Sequence, residues 1–461
     1  MTNMREKLVI MGLDSATPQL VFDKLECRLP NLGAMAREGL SGPLRSTDPP
    51  ITIPAWMSMM TGKDPGQLGL YGFRHRKDFD YRKIWIATSG SIGQRTIWDR
   101  VCEAGGSSCV VGVPPTYPLR EIRGCLVSGF ITPGTDRRYT QPASLAREIE
   151  DLVGEYVLDV KFRVKDRGSL LKSIYEMTEK RFRVIEYLMQ EKEWNLFAFV
   201  EIGLDRIHHA FWKYFDVSHH LYPGENPFQS AIPEYYEYLD GWVGRLRESI
   251  PSDTSVLVVS DHGAQAMKGA FCVNQWLASR GYLALEEPSK VTSLSDARVD
   301  WTRTRAWGWG GYYARIFLNV SGRERSGIIE PDHYEKEREK IAEDIRDIRG
   351  PGNETWETRV FRPEDLYDPI EGDPPDLMVY FDDLRWRSAG TIGHDGMYLE
   401  ENDTGPDDAV HGKHGIYILD APGIKHGRRQ ASILDIAPTA LGLLGLNPDP
   451  DMRGKTIWQK M

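Results

Sequence analysis

The chain has 461 residues, of which 41% are hydrophobic and 27% charged, enough apolar material for a sizeable core and too much for a disordered chain. Its 67 acidic residues outnumber 57 basic ones for a formal charge of −10, which argues against a broad nucleic-acid platform but leaves room for a local basic pocket that holds a phosphate. The five cysteines (Cys27, Cys102, Cys109, Cys125 and Cys272) show no C-x-x-C spacing, and no run approaches the roughly 18 to 20 apolar residues of a membrane span, so the expectation is free thiols in a cytoplasmic protein.

The first element is an apolar run from Leu8 to Leu13, read as a strand buried on both faces that ends abruptly in Asp14. A short amphipathic helix follows over residues 30–39. In Asp48-Pro49-Pro50-Ile51-Thr52-Ile53-Pro54 the prolines fix an extended entry, and Thr52 falls at or just before a helix N-terminus. That position suits an oxygen nucleophile, because free N–H groups and the helix dipole stabilise an anion there, but it also suits a plain capping threonine. The loop-rich residues 63–100 carry Arg74, His75, Arg76 and Lys77, readable as a phosphate contact or as a solvated face. Residues 96–106 read as a helix and 109–113 as a further strand, and residues 142–192 are mainly helical and charged.

Residues 196–204 form a second buried-strand pattern, ending in Asp205. The following stretch is helical, so Asp205 and His209, at i and i+4, share one face with the spacing of two ligands to one metal, whereas His208 points elsewhere. The third such strand begins at Ser255 and ends in Ser260-Asp261-His262-Gly263. Open α/β sheets place their chemistry at the carboxyl ends of such strands, so if the three are neighbours they bring Asp14, Asp205, His209, Asp261 and His262 to one rim. Residues 268–410 interrupt the rhythm with an aromatic stretch at 307–313, a charged helix at about 332–349 and an acidic loop at 400–408. They read as a lid or specificity insertion, with the aromatic stretch either packing a core or stacking on a ligand ring. His411-Gly412-Lys413-His414-Gly415 then precedes a strand at 416–419, and a helix over residues 435–445 closes the pattern.

Together these stretches resemble the alkaline phosphatase superfamily, most closely its type I phosphodiesterase and nucleotide pyrophosphatase branch. The motifs that carry the resemblance are Gly12-Leu13-Asp14, Thr52-Ile53-Pro54 with Thr61-Gly62, Asp205 with His209, Ser260-Asp261-His262-Gly263, a late histidine, and Asp435-Ile436-Ala437-Pro438-Thr439. The resemblance implies a single α/β metallohydrolase domain over residues 1–461. Its central, mostly parallel sheet would be flanked by helices, with a helical insertion at about 142–192 and a lid or specificity insertion at about 268–410. It also implies two divalent ions, zinc first and manganese second. Asp14, Asp261, His262 and the Thr52 oxygen would hold one, and Asp205, His209 and His411 the other, with His414 as the alternative to His411.

On this reading Thr52 is the nucleophile and forms a phosphothreonine intermediate, and the substrate is a small-molecule phosphodiester or phosphoanhydride. A hard or borderline donor set of three Asp and three His suits such ions, and coordination lowers the pKa of a hydroxyl that is otherwise a poor nucleophile. Nucleotide pyrophosphatases resemble P-x-x-H-G-I-x-x-N after the nucleophile turn. Here Leu68 and Phe73 stand at the His and Asn places, so Arg74 or His75 would have to supply the phosphate donor. Thr52-Ile53-Pro54-Ala55-Trp56 lacks the oxidisable residue and arginine of sulfatases. A phosphomonoesterase or phosphonate hydrolase on the same site, and a non-catalytic binding protein that keeps the fold, are the alternatives.

Overall fold

Every residue of the Leu8–Leu13 strand is buried in a computed structural model, which describes residues 6–287 and 290–460. This strand lies at the middle of a ten-stranded sheet. It pairs in parallel with Ser255–Val259 on one side and with Leu196–Glu201 on the other, with Leu8 opposite both Ser255 and Leu196. The parallel block continues through Ser108–Val111 to Gly124–Val127. Antiparallel strands close its edges, Thr140–Gln141 at one end and His414–Asp420 followed by Leu40–Arg45 at the other. The α/β architecture expected from the sequence, a mostly parallel sheet between helices, is therefore present.

Alternation along the strands feeds two cores. Val9, Met11, Phe197 and Phe199 face one side, where Ile174, Phe182, Ile207 and Leu239 of the helices Arg167–Glu191, Gly203–Phe215 and Ala231–Ser249 cover them. Leu8, Ile10 and Ala198 face the other, under Trp56 of the helix Thr52–Thr61 and Leu441 of the helix Ile436–Leu443. Within residues 142–192 the helices Leu145–Val153 and Arg167–Glu191 contribute Ile149, Phe182 and Leu188 to the first core. Between residues 268 and 410 the chain builds a four-stranded antiparallel sheet in the order Ala306–Trp309, Ala314–Leu318, Leu377–Tyr380, Arg359–Phe361. Its apolar cluster, around Phe271, Trp307, Phe317, Ile341 and Phe381, is separate from both cores. Among the described residues no helix is long and apolar enough to cross a membrane.

The strand expected over residues 196–204 stops at Glu201, and the helix begins at Gly203, two residues before Asp205. The reason is local: the Glu201 carboxylate accepts the Gly203 N–H at 2.6 Å and the Arg181 guanidinium at 3.1 Å, which turns the chain before the apolar run ends.

Gly12 has a different constraint. A Cβ built there would lie 2.5 Å from Trp56 Cη2 and 2.7 Å from the carbonyl oxygen of Phe199, so only glycine lets the Trp56 indole lie against the central strand. Gly12→Ala is expected to lower stability by about 1–3 kcal/mol, the usual cost of overpacking a core, read as a fall in the urea midpoint without a change in slope.

Candidate metal centre

The rim of the sheet brings the expected residues together in the order the strands dictate. Asp14 and Asp261 follow neighbouring parallel strands, and the Asp14 N–H donates to the Glu201 carbonyl at 3.0 Å, tying the third strand end to the first. Asp205 and His209 lie one turn apart in Gly203–Phe215, with His209 Nε2 3.2 Å from Asp205 Oδ1. His262 Nε2 is 3.1 Å from Asp261 Oδ2 and 3.8 Å from Asp14 Oδ1. Thr52 is the first residue of the helix Thr52–Thr61. Ile51 stands at the N-cap, and no side chain caps the helix, so Thr52 is not the capping residue that the sequence allowed. Its Oγ1 lies 3.3 Å from His262 Nε2 instead.

His411 arrives on the strand Ala409–Gly412, which pairs antiparallel with Gly263–Ala266 and sets Ala264 opposite His411. Its Nε2 lies 3.4 Å from His209 Nε2 and 3.8 Å from Asp205 Oδ1, and its ring stacks on His262 at 3.7 Å between centroids. His414 does not reach the cluster. It lies at the start of the next strand, opposite Arg45, with its ring 3.4 Å from Gln430. His208, as expected, turns away and lies 3.2 Å from the Ser15 hydroxyl.

All seven residues are at most 4% exposed. His262 Nδ1 faces the carbonyl of Gly263 at 3.0 Å, His411 Nδ1 that of Pro50 at 2.8 Å, and His209 Nδ1 that of Ala409 at 3.1 Å and the Asp407 carboxylate at 2.7 Å. A carbonyl can only accept, so each Nδ1 carries the proton and each Nε2 turns a lone pair inward. Facing these nitrogens, Asp14 Oδ1, Asp205 Oδ1 and Asp261 Oδ2 are buried with no hydrogen-bond donor. Acceptors packed against acceptors at 3.1–3.8 Å need a positive charge between them. The donor atoms of Asp14, Asp261 and His262 lie within 4.8 Å of one another, as do those of Asp205, His262 and His411. Imidazole and carboxylate donors in this number fit divalent ions such as zinc or manganese.

The proton equilibria carry the same signature. Burial, then the neighbouring carboxylates, push Asp14 and Asp261 well above the usual carboxylate range. Burial lowers His262 to about 4 and His411 well below its ordinary value. Burial also opposes charge on His209, but Asp407, Tyr312 and Asp205 outweigh it and raise its pKa well above normal. With only protons available, the cluster takes its positive charge there.

A second ring of residues, not singled out in the sequence, holds the first. Trp56 Nε1 donates to Asp14 Oδ2 at 2.8 Å, and Arg206 Nη1 to Asp205 Oδ2 at 2.6 Å. Asp407, from the acidic loop, orients His209 and is itself held by Arg387 at 2.9 Å and Arg163 at 3.1 Å. Tyr312, from the aromatic stretch, stacks on His411 at 3.7 Å and sets its hydroxyl 3.1 Å from His209 Nε2. Its neighbours Trp307 and Tyr313 pack inside the protein instead. From Tyr312 and Arg206 a cavity of about 790 Å³ opens away from the cluster.

The family model for type I phosphodiesterase / nucleotide pyrophosphatase matches residues 8–416, which contain every residue of this centre. The chain belongs to that family. It is thus a phosphoric-ester hydrolase of the phosphodiesterase and pyrophosphatase type. No curated protein matches the chain.

The basic stretch divides in a way that its composition did not show. Arg76 is buried and pairs with Glu324 at 2.7 Å, so it belongs neither to a solvated face nor to a phosphate site. His75 is buried as well. Its Nε2 accepts the Tyr71 N–H at 2.8 Å and its ring stacks on Trp85, which leaves only Arg74 of the two proposed phosphate donors lining the cavity. Burial lowers the His75 pKa to about 3. The folded protein keeps His75 neutral, whereas the unfolded chain takes up a proton below pH 6.5, so the stability contributed by this histidine is full above 6.5 and lost on acidification. The stability advantage of the wild type over His75→Phe is expected to shrink by about 1.4 kcal/mol per pH unit between pH 6 and 4, measured by urea unfolding.

Proposed function

We propose that the chain is a two-metal phosphodiesterase in which Thr52 is the nucleophile. The observation that carries this reading is the inward-facing set of three carboxylate oxygens without donors and three imidazole lone pairs, with the Thr52 hydroxyl beside them at a helix N-terminus. Asp14, Asp261, His262 and the Thr52 oxygen would hold one ion, and Asp205, His209 and His411 the other, with zinc favoured by the nitrogen donors and manganese compatible. Bound there, the ions would supply Lewis-acid charge to the phosphoryl group and lower the pKa of the Thr52 hydroxyl.

The residues then divide the work. The free N–H groups of Thr52 and Ile53, at the start of a helix whose third residue is Pro54, favour negative charge at the Thr52 oxygen. Thr52 Oγ1 attacks phosphorus, the bond to the leaving ester oxygen breaks, and water later cleaves the Thr52 phosphoester. Arg206, fixed between Asp205 and Asp159 at 2.6 and 2.8 Å, holds the Asp205 carboxylate in place where the cavity meets the centre. The cavity gives an organic ester group somewhere to go, which favours a diester over a monoester. On this reading the segment 268–410, which supplies Tyr312, Arg387 and Asp407, is the specificity element.

Metal analysis of protein purified without chelator is expected to give about two equivalents per chain, with cleavage of bis(p-nitrophenyl) phosphate exceeding that of p-nitrophenyl phosphate. Thr52→Ala should lose turnover by at least about a thousandfold while retaining near wild-type metal. Surviving activity would remove Thr52 from its role, and a preference for the monoester would overturn the diesterase reading. Asp407→Asn should weaken retention of one of the two ions by about 10–100-fold in a chelator competition, because His209 loses the partner that fixes its ring and tautomer.

A further inference from the structure

Six arginines and two aspartates line the cavity beside the centre, an excess of positive charge in a chain that is acidic overall. Three of these arginines are already engaged by carboxylates: Arg206 by Asp159 at 2.8 Å, while Arg163 and Arg387 share Asp407 at 3.1 and 2.9 Å. The guanidinium groups of the remaining three, Arg74, Arg82 and Arg315, make no ion pair with a carboxylate among the described residues. Arg74 and Arg82 are exposed and can be hydrated. Arg315 is half-buried, and its Nε is fully shielded from water with no acceptor.

The Arg315 guanidinium is nonetheless fixed in place. Its Nη1 donates to the Arg74 carbonyl at 2.5 Å, and its plane lies over the rings of Trp309 and Tyr313 at 5.1 and 5.9 Å. A guanidinium held over aromatic faces, with Nη2 neither shielded nor hydrogen-bonded among the described residues and with Arg74 lining the same cavity, offers charged donors to an oxyanion. Tyr312, which touches two histidines of the centre, is three residues away along the chain, so the two Cα atoms are at most about 11 Å apart.

We propose that Arg315, with Arg74, forms an anion subsite for a second acidic group carried by the organic ester of the substrate. The substrate is then a diester whose ester chain ends in a phosphate or carboxylate a few bonds from the reacting phosphorus. This inference rests on the hydrolase reading above for the reaction, but not for the binding.

Three p-nitrophenyl diesters test it, with the second ester group being pentyl, 4-carboxybutyl or 4-phosphobutyl, and with p-nitrophenolate release as the signal. The wild type is expected to show a KM about tenfold lower for at least one anionic diester than for the pentyl diester, the scale of a charge-assisted pair. The acid with the larger effect identifies the group. Arg315→Gln should bring that ratio close to one, and Arg74→Gln, on an exposed side chain, should reduce it; the latter serves alone if Arg315→Gln fails to fold. Equal KM values in the wild type, or a ratio that both variants preserve, would overturn the subsite. If the wild type cleaves none of the three, the hydrolase reading fails by itself, and calorimetric titration with butyl phosphate decides the subsite. Binding weakened about tenfold in Arg315→Gln would support it, and equal or absent binding would overturn it.

Discussion

Carboxylate oxygens left without a donor and crowded against imidazole lone pairs are the constraint on which this molecule depends. Asp14 Oδ1, Asp205 Oδ1 and Asp261 Oδ2, all buried, face the Nε2 atoms of His209, His262 and His411. A cluster of this kind costs several kcal/mol unless positive charge enters it, so the surrounding fold must hold it rigidly enough that it cannot relax apart. The parallel strands do so by fixing Asp14 and Asp261 on adjacent backbones, and the helix Gly203–Phe215 by fixing Asp205 and His209 one turn apart. The histidine tautomers are set from behind by carbonyls of three separate segments, at Pro50, Gly263 and Ala409.

What was legible in the sequence and what was not separate along a physical line. Buried parallel strands show as unbroken apolar runs, and a carboxylate that ends such a run has few reasons to be there other than chemistry, so Asp14 and Asp261 could be read directly. The helical spacing of Asp205 and His209 was equally plain, although the strand before them was read three residues too long because Gly203 and Leu204 continue its apolar pattern while Glu201 ends it by side-chain bonding. Thr52 could not be told from a cap by sequence, since N-cap and first helical position differ by a single residue.

Asp407, Arg387 and Tyr312 act only through tertiary contacts made by an irregular segment, and no periodicity marks them. The same holds for Arg76, whose partner Glu324 is 248 positions along the chain. In the sequence it stood inside a basic run, and in the fold it anchors the segment 268–410 to the loop after the first helices. Charge runs reveal composition, and only packing reveals which members are already spent.

The pairing that carries His411 to the centre has a further consequence. Gly263–Ala266 finds its partner only when Ala409–Gly412 has been made. At about 5–20 residues per second, translation leaves an interval on the order of ten seconds or more between the two strands. During that interval the nascent chain already holds Asp14, Asp205, His209, Asp261 and His262 but has neither the last imidazole nor the Asp407 that orients His209. Order of synthesis thus acts as a timer: the pocket closes around its charge only after Ala409–Gly412 has left the ribosome.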